Sequence, residues 1–399
     1  MRLKKTLVLV GLFASCSVSA FAAPVKYSFW TLRQHPEVAG GFIPTWTGMG
    51  LSFTPISLIA DRKTELKLLI GGGYTQRKAW YDPNTGLMLD DQDRNPLVFD
   101  VEEYDWRAQL SQGFWASWVP GKDLVTLYVG YDGMFTRTHD SMVEGERREN
   151  GSSSSKQEVL SIDDWFAQSL YSGASPKHNP YYPDMGDTLA ATLYGGVKLD
   201  AMRDTISTQD GFSTEVNVRY MPGPLNDSMD GRADCYSVTS NTVFAKTLCS
   251  VKDVKGRNLF SAVALDRFNV NWTSGDIIPL SLQESTALGR KVRGFSYWSY
   301  DTELSLVNNA EIRLCGPEAL IKGVMPRFNF FYDVGFGCGN YYNTNVSDTN
   351  FLSSTGVQAT ITLYDFFDLG LQYAYLFHGH DYTHYDDSVT MRVTFFLDF

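Results

Sequence analysis

The chain has 399 residues, of which 20% are charged and 14% aromatic, and its formal net charge is −11. This acidic balance argues against nucleic acid as a partner. After residue 22 no apolar run approaches the roughly 20 residues of a transmembrane helix, whereas the aromatic residues and 34 glycines are typical of strands and turns.

Residues 1–22 have the pattern of a secretory signal peptide. Three basic residues precede the apolar run 7–13, and Ala20-Phe21-Ala22 offers a small-x-small cleavage site before Ala23. Cleavage would remove three positive charges and no acid, so the net charge of −11 would become −14. We therefore divide the chain into a signal peptide (1–22), a short N-terminal segment (23–40) and one β-domain (41–399).

Alternation of apolar and polar residues with period two predicts the strands of this domain. They lie near 44–57, 65–82, 99–119, 123–140, 187–203, 210–223, 234–250, 258–275, 303–315, 324–336, 355–365, 369–379 and 388–399. Bacterial single-chain barrels have even strand numbers, and 25–32 is the preferred addition. The prediction is a transmembrane antiparallel β-barrel of about 14 strands, within a range of 12 to 16.

A soluble β-sandwich would show the same alternation, so the ends of the strands decide between the two architectures. Aromatic residues cluster there, as expected for the interfacial girdles of a membrane barrel. They are Trp115, Trp118, Tyr220, Trp272, Phe366 and Phe367. Short turns would then face the periplasm, and long polar connections, of which 141–186 is the longest, would face outward.

The stretch Ala287-Leu288-Gly289-Arg290-Lys291-Val292-Arg293-Gly294-Phe295 lies between two such strand regions. In the two strands that follow it, 308–314 and 327–335, the apolar residues occupy alternate positions and therefore lie on one face. If that face meets lipid, Glu311 and Asp333 face the lumen. An arginine on a loop folded inward would offer these carboxylates a bidentate partner.

The run Val292-Arg293-Gly294-Phe295, followed by a strand with an inward Glu and then by Phe331-Tyr332-Asp333-Val334-Gly335, resembles the BamA/TamA-like superfamily of outer-membrane assembly and secretion barrels, the bacterial surface antigen type. In that family the loop folds back into the lumen. The resemblance implies that Arg293 contacts Asp333 and Glu311.

A second resemblance to the same family is a strand ending in Asp-x-x-Arg-Asp and turning into the next strand. Asp200, Arg203, Asp204 and Gly211 match this pattern, while Ser207 or Thr208 stands where the family has proline. The likeness covers roughly residues 187–399, and the departure at the turn predicts a less rigid connection.

The last strand, 391–399, has apolar side chains at alternate positions counted back from its end, including Phe395, Leu397 and Phe399. This pattern resembles the recognition signal by which barrels are handed to the barrel assembly machinery. It implies that this machinery is a partner during biogenesis.

The expected location is the bacterial outer membrane, with the barrel in contact with its lipid and with lipopolysaccharide or an equivalent, and with loops exposed at the surface. Between Ala23 and the first strand near Gly41, about 18 residues are too few for a periplasmic POTRA domain. The resemblance then implies a POTRA-less member, which either works with separate periplasmic partner proteins or has kept the fold and lost the insertase task.

Two functions remain open at this stage. The first is help with the insertion or translocation of polypeptides or lipids at the outer membrane. The alternative is a surface-exposed pore, or a structural or host-interaction protein, without insertase activity.

The sequence gives little support to catalysis. It contains no Gly-x-Ser-x-Gly nucleophile elbow, so we expect neither an enzyme nor a cofactor. His378, His380 and His384 lie beside aspartates and are weak candidates for metal ligands. Because loop tips are rich in polar residues in any case, we expect no metal site there.

Four cysteines remain after Cys16 leaves with the signal. Cys235 and Cys249 flank one strand, which at about 3.3 Å per residue separates them by roughly 40 Å and excludes a bond. Cys235 with Cys338, and Cys249 with Cys315, share a rim in this arrangement, and both pairings stay open.

Overall fold

A computed structural model of the chain describes residues 25–34, 42–53, 58–59, 61–79, 97–140, 188–205, 207–229, 233–277, 288–295, 303–317, 324–338, 350–363, 367–378 and 388–398. The predicted signal peptide and the long connection 141–186 lie outside the described residues, as do Phe366, His380, His384 and Phe399.

The described part of the chain is almost entirely β-structure. The strands are β1 (Val25–Gln34), β2 (Phe42–Phe53), β3 (Thr64–Ala79), β4 (Leu97–Gly113), β5 (Val125–Asp140), β6 (Thr188–Asp200), β7 (Arg203–Asp204), β8 (Gln209–Met221), β9 (Asp234–Lys252), β10 (Asn258–Ile277), β11 (Leu304–Cys315), β12 (Val324–Cys338), β13 (Asn350–Leu363), β14 (Phe367–His378) and β15 (Val389–Asp398). Two short helices are α1 (Gly223–Asp227) and α2 (Leu288–Lys291).

The strand pairings form a ring. β1 to β6 pair antiparallel in chain order. β6 and the two-residue strand β7 then pair with successive parts of β8, and β8 to β15 continue in order. β15 then pairs with β1. Apart from β7, this gives fourteen strands in the described residues, so the predicted all-β antiparallel barrel of about fourteen strands is confirmed, with 25–32 as part of its first strand.

The two faces of the sheet have different chemistry. In β12, Phe328, Phe330 and Tyr332 are exposed, and Phe330 is 47% accessible, whereas Asn329 and Asp333 on the opposite face are buried. Exposed apolar side chains recur at alternate positions on neighbouring strands; they include Leu369, Leu371, Tyr373, Tyr375 and Phe377 of β14 and Ile312 of β11. An apolar outer surface of this extent, around polar inner positions, is typical of barrels that span a membrane.

Aromatic residues lie near both ends of the strands, as the sequence indicated. Trp115 and Trp118 are exposed in the turn between β4 and β5. At the opposite end, Tyr236 and Trp272 meet edge to face with ring centroids 5.1 Å apart. Among the described residues, no helix combines the length and hydropathy that crossing a membrane requires.

The bounds of most strands differ from the prediction by a few residues, and two of the larger differences are at the ends of β2 and β4. The predicted strand 99–119 ends at Gly113, because the chain continues into a turn in which Leu124 N donates to Trp115 O and Lys122 N donates to Val119 O. The predicted strand 44–57 is Phe42–Phe53. The hydrogen bonds of the turn therefore define where β4 stops.

The four cysteines of the described strands are free thiols. Cys249 is exposed and Cys315 is buried, and they lie on β9 and β11, the two strands that flank β10. In the strand register, Cys249 is opposite Ala262 of β10 and Cys315 is opposite Ser261 of β10. Cys235 is buried against Met221, with its sulfur 3.7 Å from Met221 Sδ. Neither of the two pairings left open by the sequence is formed.

Candidate functional site

Residues 288–295 form a short segment inside the barrel, which we call the lumenal loop. It begins with α2, and Val292 N donates to Leu288 O, so the helical turn continues to Val292. Leu288, Val292 and Phe295 are fully buried in one cluster with Val307 of β11, Leu352 of β13 and Leu376 of β14. The loop is therefore attached by apolar packing to the inner face of β11–β14.

Two glycines make this close approach feasible. Gly294 has a φ of +98°, which disfavours any side chain, and a Cβ there would lie 2.6 Å from Leu376 Cδ2. Gly335 of β12 lies beneath the loop, and a Cβ there would lie 2.6 Å from Val292 Cγ2. Gly294 thus closes the turn, and Gly335 leaves the space into which Val292 packs.

Arg293 joins the loop to two carboxylates on adjacent strands. Its Nε and Nη2 donate to the two oxygens of Asp333 at 2.8 and 2.7 Å, and its backbone N donates to Asp333 Oδ2 at 2.9 Å. Nη1 donates to Glu311 Oε2 at 2.7 Å. Asp333 is 0% and Glu311 5% accessible, so both carboxylates depend on these charge-assisted bonds. The structure brings together the three residues that the sequence singled out.

Several partners of the loop were not predicted. The guanidinium of Arg293 stacks 3.9 Å from the centroid of Phe331, Ser354 Oγ donates to Arg293 O at 2.6 Å, and Asn309 Nδ2 donates to Lys291 O at 3.0 Å. Of these partners, Phe331 is the one that the sequence could have indicated, because it is an apolar residue at a polar position of the alternation, between Phe330 and Tyr332. Together these contacts fix both the charged end and the backbone of the loop.

Glu311 is shared among three arginines. Besides Arg293, Arg313 Nη2 lies 3.1 Å from Glu311 Oε1, and Arg267 Nη1 lies 3.8 Å from Oε2. Arg313 also donates to Gln209 Oε1 at 3.4 Å. Glu311 and the three arginines border a lumenal cavity of about 300 Å³. Arg313 lies two residues from Glu311, so the alternation places both on the inner face. The proximity of Arg267 to Glu311 depends on the register of two strands, which the sequence does not reveal.

The strand-turn motif is a structural element between β6 and β8. Asp200 Oδ1 accepts Met202 N at 3.1 Å and lies 3.4 Å from Lys122 Nζ. Gly211 has a φ of +119°, and a Cβ there would lie 2.2 Å from Ala201 O. Arg203 and Asp204 are exposed and pair with β8.

The turn of this motif lies where the family has proline. Thr205 N donates to Thr208 O at 2.9 Å, and Thr208 N donates to Thr205 Oγ1 at 3.0 Å. Side-chain hydrogen bonds therefore hold the turn that a proline would otherwise restrict.

The remaining candidates contribute no further site. His378 is the last residue of β14, and its Nδ1 lies 2.8 Å from Ser353 Oγ. His380 and His384 lie outside the described residues, and within them no group of three or more His, Cys, Asp or Glu is placed to hold a metal. The backbones of Phe395 and Leu397 pair with Leu369 and Phe367 in β14.

The contact between the first and last strands is short. Within the described residues, β1 pairs with β15 through Phe29 with Asp398 and Trp30 with Leu397. On its other side, β15 pairs with β14 continuously from Leu397 to Val389. We call this short contact the seam; beyond it, residues 389–396 of β15 have no register partner in β1 among the described positions.

The chain was compared with family models, curated proteins and solved structures. No family model matches the sequence, and no curated protein matches it. Among solved structures, the chain is similar to the crystal structure of BamA from Haemophilus ducreyi lacking POTRA domains 1-3. The sequences are 12% identical, the match covers 95% of this chain and 70% of that one, and the TM-score is 0.47.

Proposed function

We propose that the chain is an integral barrel of the bacterial outer membrane that helps to insert or translocate polypeptides or lipids there, in the manner of BamA/TamA-like barrels. The exposed apolar surface of β11, β12 and β14 supports the membrane location. The motif resemblance at Arg293, and the lumenal position of that residue, support the family.

The observation that carries the proposal is the seam. A strand edge in hydrocarbon leaves backbone donors and acceptors without water, at a cost of several kcal/mol for each group. In the described part of the chain, residues 393–396 of β15 lie opposite residues 31–34 of β1 with no register pairing between them. An incoming strand would satisfy these groups by β-augmentation, so the seam is the place where a client strand would enter.

The lumenal loop supports the same function through its contacts with the strands that adjoin the seam. Its contacts with Val307, Asp333, Ser354 and Leu376 join β11, β12, β13 and β14. These strands therefore remain together if β1 moves away from β15. The seam can open without loss of the wall on which the loop is packed.

A reversible disulfide across the seam tests the proposal. Trp30 and Leu397 are direct register partners, and the Cα separation of such partners, about 4.5–5.5 Å, is compatible with a disulfide. Trp30→Cys with Leu397→Cys, in a background whose four free cysteines are replaced by serine, is reconstituted in vesicles. The assay follows membrane integration of an unfolded barrel protein, with and without reductant, and we expect oxidation to abolish most of the integration.

A matched control places the disulfide in a complete ladder. Ala359 and Leu371 are register partners on β13 and β14, so Ala359→Cys with Leu371→Cys should leave integration unchanged when oxidised. Equal activity of the oxidised and reduced seam variants would contradict the proposal. A large, steady conductance of the wild-type protein in planar bilayers would instead favour the pore.

A further inference from the structure

We propose that a second copy of this chain docks, in the plane of the membrane, on the outer face of β8–β11 around Asp266 and Asn308. This contact rests on the proposed membrane location, but it is independent of insertion or translocation because it lies on the outer wall and not at the seam. The observation behind it is a polar pair on a face that is otherwise apolar. Asn308 Nδ2 of β11 donates to Asp266 Oδ1 of β10 at 2.6 Å.

Strand alternation places both residues of this pair outside the barrel. On β10, Leu265 is buried and Arg267 borders the lumenal cavity, so Asp266 between them points outward. On β11, Asn309 donates to the lumenal loop, so Asn308 points outward as well. Asp266 is exposed on this face.

The pair lies well inside the apolar outer band. Trp272 belongs to the aromatic residues at one end of the strands. From Trp272 to Asp266, at about 3.3 Å per residue along a strand tilted by about 40°, the depth is roughly 15 Å. The apolar band of such a barrel is about 25 Å tall. Exposed apolar side chains lie on both sides of the pair, Phe268 towards Trp272 and Ile312 towards the other end of β11.

A carboxylate at this depth lacks hydrogen-bond donors. In the described part of the chain, the bond from Asn308 is the one polar contact of Asp266. Hydrocarbon supplies no donor for the second oxygen. Charged groups in the membrane are rare for this reason, and they mark sites that interact with something other than lipid. A partner in the membrane would therefore stabilise Asp266 by supplying an N–H group.

The chemistry of the pair favours a second copy as this partner. Asp266 Oδ2 is an unused acceptor, and the amide of Asn308 has a second N–H. In a contact with two-fold symmetry, each Asn308 donates to the Asp266 of its own chain and to that of the other copy. Each carboxylate then accepts two charge-assisted hydrogen bonds. A cationic partner would use only the carboxylate and would leave the second N–H of Asn308 unpaired.

The surroundings of the pair permit close approach. Ala310 is the register partner of Asp266, and Ala264 is the next outward position on β10. Small residues at such positions let two membrane-spanning surfaces come together. Thr214 and Thr242 continue the polar strip onto β8 and β9, where their hydroxyl oxygens lie 2.7 Å apart. Because β11–β14 separate β10 from β15 in the strand order, a copy docked here leaves the seam accessible.

Cross-linking in vesicles tests the proposal. Ala310→Cys, in a background whose four free cysteines are replaced by serine, is reconstituted at low density in phosphatidylcholine vesicles, and flotation verifies integration. A short, membrane-permeant bismaleimide should then give a cross-linked dimer. Leu371→Cys, which is exposed on the outer face of β14, is the matched control and should stay monomeric. The same reagent applied to native membranes should give the same dimer.

Variants of the pair separate docking from a structural role. Asp266→Leu should raise the dissociation constant of the dimer at least about tenfold, because charge-assisted hydrogen bonds are lost. It should also raise the thermal stability of the monomer, since an apolar side chain replaces a carboxylate that faces lipid; a structural role would lower that stability. Asp266→Asn keeps an acceptor and should retain most of the dimer. Asp204→Leu, at an exposed position of β7, removes the same charge and should leave the dimer unchanged.

A second copy is ruled out if the integrated protein stays monomeric. Equal cross-linking of Ala310→Cys and Leu371→Cys would also contradict it, since it would indicate random collision. A cross-link from Ala310→Cys to a different protein in native membranes would assign the surface to another partner. Protein that does not float with the vesicles would instead contradict the proposed membrane location, which the flotation step detects separately.

Discussion

Arg293 holds Asp333 by three hydrogen bonds, two from the guanidinium and one from its own backbone N, all between 2.7 and 2.9 Å. The side chain and the backbone of one residue are thus fixed by a single carboxylate that is completely buried. Because Asp333 belongs to β12 and Arg293 to the lumenal loop, this pair determines where the loop lies in the barrel.

Arg293→Ala should lower the free energy of unfolding by about 3–5 kcal/mol, since it leaves a buried carboxylate unpaired. Arg293→Lys keeps the charge but loses the bidentate geometry, so its loss should be intermediate. Heat-modifiable gel mobility and thermal melts followed by circular dichroism measure both. Arg203→Ala, at an exposed position, is the control and should change stability by less than about 0.5 kcal/mol. An unchanged melt for Arg293→Ala would rule out the clamp.

Gly294→Ala should destabilise the barrel more than Gly256→Ala does. Both glycines have positive φ, +98° and +78°, so both variants carry the backbone strain of the left-handed region. Only at Gly294 would the new Cβ meet other atoms, whereas at Gly256 nothing lies within 4 Å. We expect overpacking to add about 1–3 kcal/mol at Gly294, measured as the difference between the two chemical denaturation curves. Equal curves would show that the loop moves aside without cost.

Phe295→Ala should release the lumenal loop. Phe295 is fully buried in the apolar cluster, and truncation of a buried phenylalanine costs about 3–5 kcal/mol. Hydrogen exchange of the 288–295 peptide should accelerate relative to wild type. Phe244→Ala, on the exposed outer face, provides the comparison and should leave exchange in that peptide unaltered. Slow exchange in Phe295→Ala would mean that the remaining contacts of the loop suffice to hold the segment.

The turn between β9 and β10 should lose protection in acid. The pKa of Asp253 lies below its usual value, chiefly because the Arg257 backbone amide donates to its carboxylate, with a further bond from the Arg257 side chain. A lowered folded-state pKa means that the stabilisation is present at neutral pH and is lost as pH falls through that value. Amide exchange of Lys255 and Arg257, corrected for its intrinsic pH dependence, should therefore accelerate in acid.

Asp253→Asn is the control for this turn. It removes the titrating group, so the corrected exchange rates of the same two amides should become independent of pH. If the corrected wild-type exchange rates are also independent of pH, the hydrogen bonds to Asp253 contribute nothing to the stability of the turn.

Period-two alternation made much of the fold and the charged part of the site predictable. It placed Glu311 and Asp333 on the inner face, and the motif resemblance supplied Arg293 as their partner. Phe331 was missed because its residue type indicates the lipid face while its parity indicates the lumen. Arg267 was missed because its proximity to Glu311 arises from the register of β10 with β11, in which Leu265 is opposite Glu311. Register is set by pairing across strands, and one sequence does not display it.

Within the described residues, the lumenal loop contacts four consecutive strands, which lie side by side in the barrel wall. A force applied at the open end of the barrel would consequently be resisted mainly by β11–β14, while the other strands bend. Deformation of the cross-section is then directional, so the barrel would widen along one preferred axis instead of swelling evenly.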